Sequence, residues 1–265
     1  VSPTEATPDL EAADRLLAVV MEDGVERRRL VELMRALTMR PGPPPESAKL
    51  FPRWAELLAG FTRACRGRDP EALEEAFLEL YAHLHMHEAL YTPDERRRVD
   101  SSGGYWTHAG GLSSILRAGP YLGPTGRSVD LGAGNGLQGL LLQRLSPHAR
   151  CCQIEISSDM VEIGKALQRW LDIPDDRVEW RAEDVTTTAL GGWDFVYLYR
   201  PVRPEGPGRA FYRRLAGALE AEPGEVVVFS IADCLDEFLP PVFERFFSDG
   251  HLTCYRKNAT DRSGG

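Results

Sequence analysis

Ser128-Val129-Asp130-Leu131-Gly132-Ala133-Gly134-Asn135-Gly136 is the stretch that decides the reading of this chain. Ser128 to Leu131 suits a short, mostly apolar strand. The glycines follow at once, and behind them Leu137-Gln138-Gly139-Leu140-Leu141-Leu142-Gln143-Arg144-Leu145 opens a helix. Glycine at such a junction lets backbone approach a ligand with no Cβ in the way. The first N–H groups of the helix lack intrahelical partners and lie at its positive dipole end, which suits a polar or anionic group. One glycine would suffice for a tight turn. Four at this spacing point to a seat for a nucleotide-like cofactor.

Two glycine registers overlap here. Gly134-x-Gly136-x-x-Gly139 fits the dinucleotide fingerprint. Asp130-x-Gly132-x-Gly134-x-Gly136 is a separate register, with an acid at the strand end two positions before the first glycine. This second pattern resembles motif I of the Rossmann-like (class I) S-adenosylmethionine (SAM) dependent methyltransferases. The resemblance covers about residues 104–257. It implies an α/β fold: a doubly wound, mostly parallel seven-stranded sheet with a terminal antiparallel hairpin. It also implies SAM as cofactor, held by Asp130, Gly132, Ala133, Gly134, Asn135 and Gly136.

The downstream runs follow the same register. Cys151 to Ile156 reads as a second strand, and its acid, Glu155, falls nineteen residues after Gly136. A carboxylate there can accept both ribose hydroxyls, in NAD and SAM alike. By resemblance Ile156 and Met160 pack on adenine. Arg177 to Arg181 reads as a third strand. After it, Ala182-Glu183-Asp184-Val185 is similar to the acidic motif that reads the adenine edge, which maps to Asp184 and Val185, with Glu183 as the lesser neighbour. Trp193 to Tyr199 is a fourth strand whose end faces the transferred methyl group in this family. Tyr199-Arg200-Pro201-Val202 departs from the Asn/Asp-Pro-Pro-Tyr/Phe motif of amine-modifying members, which disfavours adenine or glutamine amino groups as acceptors. Asp194, at the start of that strand, reads as a cap or turn acid. A helix over 208–220, a strand over 225–231, a short helix over 234–239 and a hairpin turning at Asp249-Gly250 complete the pattern.

The chain has 265 residues and a net charge of −9, so no broad phosphate-binding surface is implied. Arg27-Arg28-Arg29 and Arg96-Arg97-Arg98 are flanked by acids and read as solvated helix faces. The five cysteines match no zinc spacing and fit reduced thiols, hence a cytoplasmic protein. No apolar run approaches membrane-spanning length, and Val1 opens no signal-peptide pattern.

Roughly the first 100 residues read as a helical cap or dimerisation domain, ahead of a SAM-binding domain over 101–265. Leu16, Leu17, Val20, Met21, Leu30, Val31, Leu33, Met34 and Leu37 carry helical spacing up to the proline run at 41–45. A second helix is expected over 47–65. A third starts at Asp69-Pro70, a cap followed by proline, and reaches about residue 90. Whether these helices form a lid or a homodimer interface is not decided by the sequence. His83 and His87 share a helix face, but no glutamate completes a zinc motif, so a packed or surface helix is expected and no metal site.

Ser101 to Gly111 is rich in glycine and aromatics. In the family this region folds over the methionine end of SAM, which makes Tyr105, Trp106 and His108 gate candidates. The alternative is a packed linker. A general base is needed only if the acceptor arrives protonated. The candidates are His108, Tyr199 and Tyr197, in that order. The resemblance implies methyl transfer from SAM, with a small-molecule acceptor favoured and nucleic acid and membrane disfavoured. A protein lysine acceptor, another SAM-using transferase or cyclase, and a non-catalytic SAM-binding subunit stand as alternatives. An NAD oxidoreductase is disfavoured by Asp130.

Overall fold

The computed structural model describes residues 7–43, 48–85, 91–104 and 111–259. Strands β1 (Arg127–Leu131), β2 (Arg150–Glu155), β3 (Val178–Ala182), β4 (Phe195–Tyr199) and β5 (Val226–Ile231) run parallel. Strands β6 (Glu244–Ser248) and β7 (Leu252–Lys257) add an antiparallel hairpin, turned at Asp249-Gly250. The sheet order is β3-β2-β1-β4-β5-β7-β6. This is the doubly wound seven-stranded sheet that the resemblance implies. The winding reverses between β1 and β4, and ligands bind beyond the strand carboxyl ends at such a switch point.

Nine helices are found among the described residues: α1 (Leu10–Leu17), α2 (Gly24–Thr38), α3 (Trp54–Cys65), α4 (Pro70–His85), α5 (Pro93–Ser102), α6 (Ser113–Ala118), α7 (Leu137–Leu145), α8 (Ser158–Trp170) and α9 (Pro207–Ala221). Successive strand residues point to opposite faces. On one face Val129, Leu131, Val196, Leu198, Val226 and Val228 pack with Phe211, Tyr212, Leu215 and Leu219 of α9. On the other, Phe195, Tyr197, Val227 and Phe229 belong to a cluster that includes α7, α8 and the apolar stripes of α1 to α4. One continuous core therefore runs from the sheet through α7 and α8 into the N-terminal helices.

Three features differ from the sequence reading. The first helical run is two helices, because Asp23 caps a new one by accepting from the Val25 and Glu26 amides. Val20 lies in the connection and is 56% exposed, not on an apolar face. The run expected over 47–65 is helical as α3 only from Trp54, after Pro52. The segment expected as a short helix over 234–239 holds only a single 3-10 turn at Leu235–Glu237.

The arginine cluster on α2 is not simply a solvated face either. Arg29 is half-buried and donates to the Ile115 carbonyl and Ser146 Oγ, tying α2 to the sheet domain, while Arg27 pairs with Asp14 at 3.1 Å. Trp170 makes a second tie: its indole N–H donates to the Pro41 carbonyl at 2.8 Å, and its ring meets Trp54 edge-on at 5.4 Å. No helix among the described residues is long and apolar enough to cross a membrane.

Candidate functional site

The glycine loop takes its shape from three positive φ angles, at Gly132 (80°), Gly134 (58°) and Gly136 (68°). At Gly132 the freedom is required twice over. The left-handed backbone disfavours any side chain, and a Cβ would stand 2.8 Å from the Pro201 Cβ after β4. The loop is pinned to β2 by the Gly132 and Ala133 amides, which both donate to the Ile154 carbonyl. Gly139 serves another purpose. A Cβ there would run into the Gln153 amide, so its absence lets α7 lie close on the sheet.

A cavity opens above this loop at the switch point. It is lined by the ends of four strands: Asp130 and Gly132 at the end of β1, Glu155 and Ile156 at the end of β2, Glu183, Asp184 and Val185 after β3, and Tyr197, Tyr199, Pro201 and Val202 from β4 onward. Ala133, Gly134 and Gln138 belong to the loop and α7. The remaining wall is His85 at the end of α4, Tyr91 just before α5, Val99 within α5 and Gly104 just after it. Four carboxylic acids line the cavity, and no lysine or arginine does so among the described residues.

Glu155 organises the centre. Its Oε2 accepts the Gly134 amide at 2.9 Å, and its Oε1 accepts the Ser157 amide at 3.0 Å and the Tyr91 hydroxyl at 3.3 Å. Burial nevertheless outweighs these donors and pushes its carboxyl up to about 7. Asp130 is pushed up to about 8, by burial first and by the nearby Glu155 second. Its Oδ2 is buried with no hydrogen-bond partner among the described residues.

Behind the wall runs a polar seam. Tyr81 of α4 donates to Gln138 Oε1, and the Gln138 amide donates to Ser114 Oγ of α6. The Tyr197 phenol is pushed well above 10 by burial and by Asp130. Tyr197, like Tyr199, lines the cavity from β4. Tyr199 lines the cavity at the end of β4, edge-on to His251 of the hairpin at 5.8 Å.

Of the expected cofactor residues, Asp130, Gly132, Ala133, Gly134, Glu155, Ile156, Asp184 and Val185 line this one cavity. Three are not among the lining residues. The Asn135 amide donates to the Leu84 carbonyl at 2.6 Å, and its oxygen accepts the Leu137 N–H at the start of α7. Gly136 backs onto Trp180 and Gln153, where a Cβ would collide. Met160 is fully buried in the core. Tyr105, Trp106, His108 and His87 lie outside the described residues.

Asp184 spends one oxygen locally, accepting from the Thr186 amide and hydroxyl. Asp194 accepts the Arg127 amide at 2.8 Å and so joins β1 to β4, the structural part expected of it. His83 accepts the Arg53 amide at 3.3 Å and packs on Phe51. His85, Tyr91, Val99, Gly104, Gln138, Pro201 and Val202 were not candidates. Gln138, Pro201 and Val202 adjoin stretches the sequence reading singled out, whereas nothing local marks His85, Tyr91, Val99 and Gly104, which reach the cavity only through packing.

No protein-family profile matches the chain. No curated protein matches it either. Among solved structures, an RNA methyltransferase from Salinibacter ruber in complex with S-adenosyl-L-homocysteine is similar at 23% identity, over 58% of this chain and 92% of that one, with a TM-score of 0.43. TrmN from Thermus thermophilus is similar at 19% identity over 55% of this chain and 48% of its own, with a TM-score of 0.41. The S-adenosylmethionine-dependent methyltransferase SibL, in its apo form, is similar at 15% identity over 88% of this chain and 76% of its own, with a TM-score of 0.43.

Proposed function

We propose that this chain is a SAM-dependent methyltransferase whose acceptor is a small molecule. The observation that carries the reading is the charge of the cavity. Asp130, Glu155, Glu183 and Asp184 line it without a lysine or arginine among the described residues. Such a wall suits a cation such as a sulfonium, towards which Asp130 and Glu155 can give up their protons, and offers no counter-charge to a pyrophosphate. The glycine loop alone suits NAD as well as SAM; the acids favour SAM.

The residues present fit that cofactor. Glu155 would accept the ribose hydroxyls. Asp184 and the Val185 amide would read the adenine edge, with Ile156 and Val185 against its faces. Gly132 and Gly134 allow close approach, and the unpartnered Asp130 oxygen suits the cationic end. When bound, SAM supplies a methyl group that is already electrophilic. The protein then needs to align the acceptor and exclude water, and proximity of this kind is worth up to ~7–11 kcal/mol. Tyr199, at the β4 end, is the described residue best suited to orient the acceptor, with His108 the candidate base.

His85, Tyr91, Val99 and Gly104 close one side of the cavity, which supports the lid role for the helical region and an enclosed pocket for a small acceptor. The acids equally suit a cationic acceptor, so a protein lysine is the second reading. The Salinibacter neighbour is an RNA methyltransferase by name. For this chain the acid-lined wall and the net charge of −9 argue against a phosphodiester acceptor.

Calorimetric titration with SAM, S-adenosylhomocysteine and NAD tests the reading. Micromolar binding of the first two and none of NAD is expected. Binding of NAD alone overturns it. Formation of S-adenosylhomocysteine with small amines and alcohols, basic peptides or RNA then separates the acceptors, and binding without turnover on any of them marks a non-catalytic subunit.

A further inference from the structure

Glu155 has two oxygens and about four lone-pair positions. The Ile156 amide bears on the carboxylate, and three donors lie at hydrogen-bond distance: the Gly134 amide on Oε2, and the Ser157 amide and Tyr91 hydroxyl on Oε1. The two amides belong to the backbone on either side of the carboxylate and cannot leave without unmaking the loops. Tyr91 is different. It is the side-chain donor of the set, its 3.3 Å contact is the longest of the three, and it comes from another part of the chain, 64 residues away. It is also nearly buried, at 8% exposure, and lines the same cavity.

A vicinal diol needs two acceptor positions side by side on a carboxylate. With Tyr91 in place, Oε1 has both lone pairs engaged, and at most one position is left, on Oε2. From this geometry we infer that the Tyr91 hydroxyl is a placeholder for a ribose hydroxyl. It satisfies the buried Glu155 when no nucleoside is bound and gives up its position when one binds. The inference rests on the proposed role of Glu155 in holding the ribose.

The element that carries Tyr91 is built to return it. Thr92 caps α5 with its hydroxyl on the Glu95 amide, and the Glu95 carboxylate accepts the Thr92 amide at 2.8 Å. Glu95 also accepts from the Ser157 hydroxyl and the Ser158 amide, at the start of α8. The Tyr91 carbonyl is held by Arg96 Nε at 3.1 Å. The backbone at Tyr91 is thus latched to the turn that follows Glu155. Losing the phenol contact needs only a side-chain rotation, and the latch keeps the hydroxyl within reach of the carboxylate.

The consequence is an exchange of hydrogen bonds. In the wild type, a ligand lacking one ribose hydroxyl loses little, because Tyr91 refills the vacant position. In Tyr91→Phe nothing refills it. Titration calorimetry of wild type and Tyr91→Phe with S-adenosylhomocysteine and its 2′-deoxy and 3′-deoxy counterparts reads this directly. Tyr91→Phe should bind S-adenosylhomocysteine about three- to tenfold tighter than wild type, since one competing hydrogen bond is gone. The penalty for the more damaging of the two deoxy changes should grow by a similar factor in the variant. Ligand-induced stabilisation in thermal melts gives the same comparison independently if the variant yields little material.

Tighter binding together with the larger deoxy penalty supports the placeholder. Equal or weaker binding of S-adenosylhomocysteine by Tyr91→Phe, with the wild type binding it, overturns the placeholder and leaves the cofactor assignment standing. Failure of both proteins to bind any of the three nucleosides overturns the cofactor assignment and the placeholder together.

Discussion

Asp130 and Glu155 stand at the carboxyl ends of neighbouring strands as two carboxyls in one cavity, only 3% and 4% exposed. Each holds its proton more tightly in the folded chain than out of it. Asp130 rises from 3.8 to about 8 and Glu155 from 4.5 to about 7. The stability they permit is therefore complete below the ordinary carboxylate values and is lost as pH rises through the folded ones. Thermal melts of the ligand-free protein should show a falling midpoint from pH 5 to pH 8.5. Asp130→Asn, which keeps the shape without the titration, should flatten that fall and gain on wild type by ~1–3 kcal/mol at the alkaline end. A midpoint that rises over this range in wild type would contradict the burial argument.

Ligand charge should feel the same pair with the opposite sign. A sulfonium stabilises ionised carboxyls, so SAM binding should release protons near neutral pH. Affinity for SAM should rise from pH 6 to pH 8, by up to about tenfold per unit for each group that ionises. S-adenosylhomocysteine lacks the sulfonium charge and should rise less. Titration in two buffers of different ionisation enthalpy counts the protons. Identical pH profiles for the two ligands would show that the acids do not read the sulfonium.

The loop gives a more direct test. Gly134→Val sets a branched side chain on a left-handed backbone beside the cavity and should abolish SAM binding. Glu155→Ala should weaken SAM by about 1–3 kcal/mol, the scale for losing a hydrogen bond to a charged group. It should also lower the melting point, because the Gly134 and Ser157 amides lose their acceptor. If both variants bind SAM as wild type does, the cofactor does not sit here.

What the sequence made legible follows from where the physics is local. The first strand, glycine loop and helix are readable because apolar run, glycine and helical spacing follow one another within 20 residues, and α7 spans Leu137–Leu145 as read. Glu155 is readable because its distance from the loop is set by one helix and one strand. The break before α2 is marked by the capping signal Asp23-Gly24, but the apolar spacing that continues on both sides masks it. Asn135, Gly136 and Met160 show a different limit. A motif position says which residue is near a ligand, not whether its side chain faces the ligand or the core. His85 and Tyr91 show the hardest case, because only the seating of the end of α4 and the segment before α5 on the loops after β1 and β2 brings them to the cavity.

That packing makes a last prediction, about the division into a helical region over 1–100 and a cofactor domain over 101–265. The apolar cluster does not stop at residue 100: Leu33, Phe61 and Phe77 belong to the same cluster as Leu140, Leu167 and Phe229. Trp170 bridges the two regions. Its N–H donates to the Pro41 carbonyl, its carbonyl accepts from Arg40, and its ring lies against Trp54 at an interplanar angle of 88°. With a shared core, the regions should unfold in one cooperative step, seen as coincident urea transitions by far-ultraviolet circular dichroism and by tryptophan fluorescence. Trp170→Phe, which loses the indole hydrogen bond, should cost about 0.5–1.5 kcal/mol. Trp170→Ala, which also leaves a cavity between the regions, should cost about 3–5 kcal/mol. Both should shift the whole transition. Two separated transitions in wild type, with Trp170→Ala moving only the first, would mean that the helices form an independent unit. A lid on the cofactor cavity would then move as a domain, and not by the side-chain rotation assigned to Tyr91.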